Sequence, residues 1–378
     1  MQRDVKPNAT YGEIRKNPGT LLEWEKHRSP DYWEYRRKWV EYPKQGIVPE
    51  FPLCLDIETT NVCNLDCIMC PRTVYIARGT YGPIGLMDFD FYRSLIDQGA
   101  EYRLPSVKLQ YLGEPLAHPD LPRQIRYAKD AGVLDVMFNT NATLLTGEKA
   151  HAILEAGLDS IFFSVDSIYP EKFNSIRIGA KYEEVVANII RFCEIVRRGG
   201  YHHVQTRVSM TVMDNDPEEL VKFQEFWLRH VDAVGFGMYH DVLADGIDTP
   251  YNPHFTCAQP FQRMFVMWDG VCTPCCEDDH RGYPTGSART TRLKEIWDGS
   301  AYRRLRQAQL DGRYKDIGIC QKCYVPFTAL DGRVISVDSV VSELKEAARI
   351  QRTRTHDQAD LELSDKARRR KPPGAVSA

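Results

Sequence analysis

At 378 residues, with 43% hydrophobic and 27% charged side chains, the chain is long enough for two or three domains around substantial cores. A net charge of -3 and a pI near 6.4 exclude a general nucleic-acid binder, because no domain-wide positive field is available to neutralise phosphates. No apolar run reaches about 18 residues and Met1–Lys6 has no apolar leader, so a cytoplasmic protein without a membrane segment is expected. Its eleven cysteines then read as metal ligands rather than disulfides.

Residues 1–50 are polar and aromatic (Trp24, Tyr32, Trp33, Tyr35, Trp39), with Pro30 and Pro43 as breakers. They are expected to form a helical extension packed on the following domain. From residue 51 apolar strand-like runs alternate with amphipathic stretches. The strands fall at Leu53–Ile57, Val107–Tyr111, Val133–Phe138, Ser160–Val165, Val204–Val212 and Val234–Met238. Helical patterns lie between them at Phe91–Ile96, Ile125–Lys129, Tyr182–Val196 and Pro217–Trp227. Six strand–helix units predict a parallel sheet, since parallel neighbours need crossover connections. Residues 251–340 are rich in Gly, Pro, Asp and Cys and read as a second, small α+β domain. Residues 341–378 end in a basic, proline-bearing stretch that reads as a polar, partly disordered tail.

The most informative spacing is Cys63, Cys67 and Cys70 directly after the first strand. Four thiolates normally close a metal site, so three in one loop point to a [4Fe-4S] cluster with one iron open to a non-protein ligand. Zinc favours paired C-x2-C spacings and needs a fourth ligand, which this loop lacks. The chain thus resembles the radical S-adenosylmethionine (radical SAM) enzymes. That resemblance implies a partial (β/α)6 barrel over residues 51–250, with the cluster loop after strand one. It also implies that SAM chelates the open iron and is cleaved by one electron to a 5'-deoxyadenosyl radical that takes a substrate hydrogen. The electron would come from an external donor such as flavodoxin or ferredoxin.

The strand-end motifs fit the same family. Leu112-Gly113-Glu114-Pro115 is similar to its Gly-Gly-Glu motif, with Leu112 in place of the first glycine, so Gly113 and Glu114 are expected to receive the SAM ammonium. Asn139-Thr140-Asn141 is similar to Thr-Asn-Gly, with Ala142 at the glycine position, which makes Asn141 a SAM contact. Ser164 and Asp166 with Arg177 resemble a Ser-x-Asp and Arg pair: Ser164 would reach the ribose or carboxylate, and Arg177 would pair with the carboxylate through its planar fork. Met69 stands where relatives place an aromatic residue near adenine, and a thioether also packs on a purine face.

Cys257, Cys275, Cys320 and Cys323 resemble the shortened auxiliary-cluster module called twitch, a truncated SPASM domain, and would close a second [4Fe-4S] cluster; structural zinc is the competitor. Cys272 and Cys276 are left over, and either is an alternative to Cys275 as ligand. If Cys275 is the ligand, Cys276 follows it where sulfatase-maturating relatives place a catalytic Asp, and its thiol is a candidate hydrogen-atom donor. Cys54 and Cys193 read as core. Candidate acids and bases are Glu277, Asp278, Asp279 and His280, with His240 after the sixth strand the first to test. The resemblance to aminocyclitol dehydrogenases implies a small polar metabolite, a sugar, aminocyclitol or sugar nucleoside of natural-product biosynthesis, and most naturally its oxidation. Epimerisation, decarboxylation and peptide modification are the alternatives among enzymes, and a zinc-bound scaffold is the alternative outside them.

Overall fold

A computed structural model describes residues 4–6, 12–214, 216–239, 251–321, 323 and 325–327. Twelve strands are defined among these: β1 (Asp4–Lys6), β2 (Gly12–Arg15), β3 (Cys54–Ile57), β4 (Ser106–Lys108), β5 (Asp135–Thr140), β6 (Ser160–Ser164), β7 (Gln205–Val212), β8 (Ala233–Met238), β9 (Phe255–Cys257), β10 (Arg263–Val266), β11 (Val271–Thr273) and β12 (Gly286–Ser287). Strands β3 to β8 lie side by side in chain order and all run parallel. This is the α/β sheet expected from six strand–helix units. The helix Pro217–Trp227 has the predicted bounds, and Tyr182–Arg198 ends two residues later than expected.

Each barrel strand divides its residues between two environments. Leu55, Ile57, Val107, Leu109, Val136 and Phe138 point outward into the core shared with helices such as Phe89–Ala100. The alternate residues, Asp56, Lys108, Met137 and Asn139, face the barrel interior. An apolar outer face and a polar inner one is what allows the strand ends to frame a reactive cleft.

One expectation needs correction and one is refined. Residues 1–50 are not simply a helical extension. The helix Pro30–Gln45 is present, capped by Ser29, whose hydroxyl accepts from Tyr32 N at 3.2 Å, and stopped by Gly46 at φ 67°. It buries Tyr32, Tyr35 and Trp39 against Leu53 and Cys54. However, β2 also pairs antiparallel with β8 and covers that edge of the sheet, and β1 pairs with β9. The short polar sequence of β2 carries no strand signal of its own; the open edge of β8 supplies its partners.

The refinement concerns how the small domain expected from residue 251 meets the barrel. Strand β10 pairs parallel with β3, Met264 opposite Leu55 and Phe265 opposite Asp56, and β11 and β12 continue outward from it. The C-terminal region therefore extends the barrel sheet, and with β2 at the other edge the sheet has ten strands. Among the described residues no helix is long and apolar enough to cross a membrane.

Candidate active site

The strand ends enclose a cleft of about 360 Å³. Cys63, Cys67, Met69 and Cys70 line one side, and Gly113, Glu114, Asn141, Ser164 and Arg177 line the walls. The cysteine loop is fastened from three directions. Asp66 N and Ile68 N donate to the carbonyls of Ile178 and Ile176, so the loop pairs with the segment carrying Arg177. Arg72 Nε donates to Asn61 O at 2.9 Å. Glu114 N donates to Val62 O at 2.8 Å, and a Cβ on Gly113 would stand 2.1 Å from Thr60 O. The glycine thus permits close approach of the cluster loop itself, a different contact from the SAM approach expected of it.

Glu114 is buried, and its carboxylate is occupied within the protein. Oε1 accepts from Thr140 Oγ1 at 2.7 Å and from Leu116 N at 3.1 Å, and Oε2 accepts from Asn141 N at 2.8 Å. Burial raises its pKa, and these donors oppose the rise. The carboxylate therefore clamps the third strand's end while it lines the cleft. Asn141 Nδ2 reaches Asn64 Oδ1 at 3.1 Å and Cys63 Sγ at 3.9 Å, so the Asn holds the cysteine loop. Ala142, at the family's glycine position, adopts φ 59° while fully buried, a left-handed conformation that costs a Cβ-bearing residue about 1 kcal/mol.

Arg177 Nη2 lies 2.7 Å from Asp166 Oδ2, and its Nη1 lies 3.9 Å from Cys67 Sγ. Asp166 Oδ1 accepts from Thr211 N at 2.8 Å. Arg177 and Ser164 line the cleft; Asp166 does not, and stands behind Arg177 as its anchor. The role expected of Asp166 thus becomes one of orientation. Burial pushes the Cys67 thiol up to about 12, against the opposing pull of Arg177, so ligation there must displace a proton.

The second centre is closed. Cys257, Cys275, Cys320 and Cys323 line one small apolar pocket together with Phe255, Tyr314 and Val325. Gln309, itself buried, accepts from Cys257 N at 3.0 Å and donates to Cys320 Sγ at 3.6 Å. Burial raises Cys257 to about 11 and Cys275 well above the ordinary thiol range. Geometry separates the three adjacent candidates. Cys275 faces the pocket; Cys272 is core, with its thiol against Gly270 O. Cys276 is held by Gln259 Nε2 at 3.2 Å and lies 3.3 Å from Glu277 Oε1, and it lines neither pocket. Cys54 and Cys193 are buried, as expected of core residues.

Both sets of thiols fit iron–sulfur clusters. Among the described residues no three His, Cys, Asp or Glu side chains converge closely enough to hold a single ion. A cubane takes each thiolate at a different iron, so its ligands stand farther apart than those of one zinc.

Of the candidate acids and bases, Glu277 reaches the cleft. Asp278 accepts from Gly282 N and Tyr283 N and closes a turn, with burial raising it to about 6. Asp279 accepts from Tyr75 OH and pairs with His280. His240 lies outside the described residues. Gln110, Tyr111, Asn139, Thr211 and Tyr239 complete the polar wall; Gln110, Tyr111 and Thr211 carried no sequence signal, because each is an ordinary residue at a strand end.

Comparison with known proteins agrees with this geometry. The radical SAM superfamily model matches residues 57–226, and the SPASM model, an iron-sulfur cluster-binding domain, matches residues 257–324. The chain is 26% identical to the tungsten-containing aldehyde ferredoxin oxidoreductase cofactor-modifying protein of Pyrococcus furiosus, across 66% of this chain and 81% of that one. It is 30% identical to the AdoMet-dependent heme synthase of Methanosarcina barkeri, across 50% of each. The structure of BtrN in complex with AdoMet and 2-DOIA has a similar fold, with a TM-score of 0.52 at 16% identity over 73% of this chain and 94% of that one.

Proposed function

The chain is a radical SAM enzyme with a SPASM-type C-terminal domain, and we propose that it oxidises a small polar metabolite seated between the first cysteine loop and Glu277. When bound, the first cluster and SAM supply a hydrogen-abstracting radical, and the auxiliary cluster supplies a one-electron acceptor. Cys63, Cys67 and Cys70 would hold the first cluster, and Cys257, Cys275, Cys320 and Cys323 the second. Arg177, fixed by Asp166, presents its remaining donors to an anionic group of SAM. Met69 offers a polarisable surface at the same end.

The observation that carries the proposal is that Glu277, from the C-terminal region, lines the same cleft as the three loop cysteines. Net oxidation of an alcohol carbon removes a hydrogen atom, then one electron and one proton. A carboxylate facing the substrate is the group that takes the proton. The cofactor-modifying protein and the heme synthase also bear the names of small-molecule chemistry.

The test is product analysis on reconstituted enzyme with a panel of sugars and aminocyclitols in deuterated water. Oxidation yields a carbonyl product two hydrogens lighter, without solvent deuterium at the reacting carbon. Glu277→Gln is expected to lower kcat by about 100-fold, within the usual range for loss of a general base. A product one mass unit heavier, with deuterium at the reacting carbon and lost in Cys276→Ala, would replace oxidation with epimerisation through that thiol.

A further inference from the structure

The inner faces of the barrel strands stay part-exposed one layer below the cleft. Gln110 and Asn139 line the cleft, and two residues deeper Lys108 and Met137 are still partly accessible, as is Ser209 beneath Thr211. One layer further the interior is sealed, with Asp135 and Arg207 buried and the Arg207 guanidinium 3.9 Å over the Phe162 ring. Between the cleft lining and this seal, Lys108 is a part-exposed cation one layer below Gln110.

The neighbouring guanidiniums are paired. Arg263 Nη1 lies 3.4 Å from Asp56 Oδ1, and Arg207 Nη1 lies 3.4 Å from Glu13 Oε2, so each guanidinium has its own carboxylate. The Lys108 ammonium makes no hydrogen bond or ion pair among the described residues, although Asp56 is its direct cross-strand neighbour. An ammonium held in a protein interior without a bonded partner is costly unless an anion joins it. Burial lowers the Lys108 pKa, which is the response of a cation lacking its partner.

We infer that Lys108 receives a negatively charged group of the substrate, a phosphate or a carboxylate, one layer below the cleft lining. This deepens the proposal of a small polar metabolite and rests on the cleft being the substrate site. It sharpens the substrate class to an anionic metabolite whose charged end points down the barrel, away from the first cysteine loop.

Binding of inorganic phosphate and of succinate to reconstituted, SAM-saturated enzyme would test it by calorimetry. Wild type is expected to bind one of the two, and which one distinguishes phosphate from carboxylate. Lys108→Met should weaken that binding about 10- to 150-fold, the loss of a charge-assisted hydrogen bond, and Lys108→Arg should restore most of it. SAM affinity and iron content, measured on the same samples, report whether the variant has folded and kept its other site. Equal anion affinity in wild type and Lys108→Met, or no binding of either anion by wild type, would overturn the inference. Failure of the oxidation proposal reads differently: deuterium in the product would leave this anion binding unchanged.

Discussion

The two cysteine centres differ in both sequence and surroundings. Three cysteines of the first lie within eight residues, in a loop that opens on a polar cleft beside Arg177 and Glu114. The four of the second come from residues 257 to 323 and close on an apolar pocket. A centre meant to bind a diffusible molecule keeps one position and one wall open. Four thiols that would close a cluster, lined with Phe255, Tyr314 and Val325, would leave no such position. The contrast also shows why the first is legible locally and the second is not: its thiols meet only after the sheet has been built.

The largest expected effect separates the two centres outright. Replacing Cys63, Cys67 and Cys70 together with Ala should abolish 5'-deoxyadenosine formation and reduce iron from about eight to about four per chain. Cys275→Ala should lose the other half, while Cys272→Ala and Cys276→Ala keep all of it. Iron analysis and product chromatography on each variant check this. Retention of both clusters in Cys275→Ala would break the distinction drawn among the three neighbouring thiols.

A smaller effect is expected at Glu114. Removing its carboxylate leaves the donors of Thr140, Asn141 and Leu116 without their acceptor. Glu114→Ala is expected to lower SAM affinity about 10- to 150-fold and to destabilise the protein by about 1–3 kcal/mol. Calorimetry with SAM and denaturant melts measure the two separately. If only stability falls, Glu114 serves the strand end alone.

An effect confined to a pH window joins the two centres. Glu58 accepts from Leu112 N at 3.3 Å and from Trp268 N at 3.4 Å, so one buried carboxylate ties the SAM-side loop to the C-terminal hairpin. Burial raises its pKa to about 7. Because the folded state then holds the proton more tightly than the unfolded chain, stability from this group is present below pH 4.5 and falls as pH rises to about 7. The loss is about 3 kcal/mol across that window. Comparing wild type with Glu58→Gln by denaturant melts between those limits should isolate it, since the amide does not titrate. Parallel pH profiles would show that Glu58 has an ordinary pKa.

The sequence made the six parallel strands plain because each combines an apolar run with a following amphipathic helix. It also carried the cysteine loop and the strand-end motifs, whose spacing is local. It did not reveal β2 or β10 as members of the barrel sheet, since neither short segment announces its neighbour: one is captured by the edge of β8 and the other by the edge of β3. It placed Asp166 beside Arg177 but not behind it, because only packing decides which of two paired groups faces a ligand. Among Glu277, Asp278 and Asp279 the pattern offered no ranking. The turn that consumes Asp278 and the bond from Tyr75 to Asp279 leave Glu277 as the member of the run that reaches the cleft.

The pairing of Arg263–Val266 with Cys54–Ile57 bears on how such proteins recombine. A C-terminal half joined this way is not a detachable cassette. Cutting the chain after the barrel would bare the hydrogen-bonding edge of the strand that leads into the first cysteine loop, inviting intermolecular strand addition. A chimera with a foreign C-terminal half would have to bring its own parallel strand to that edge, in the same register, before either half could work.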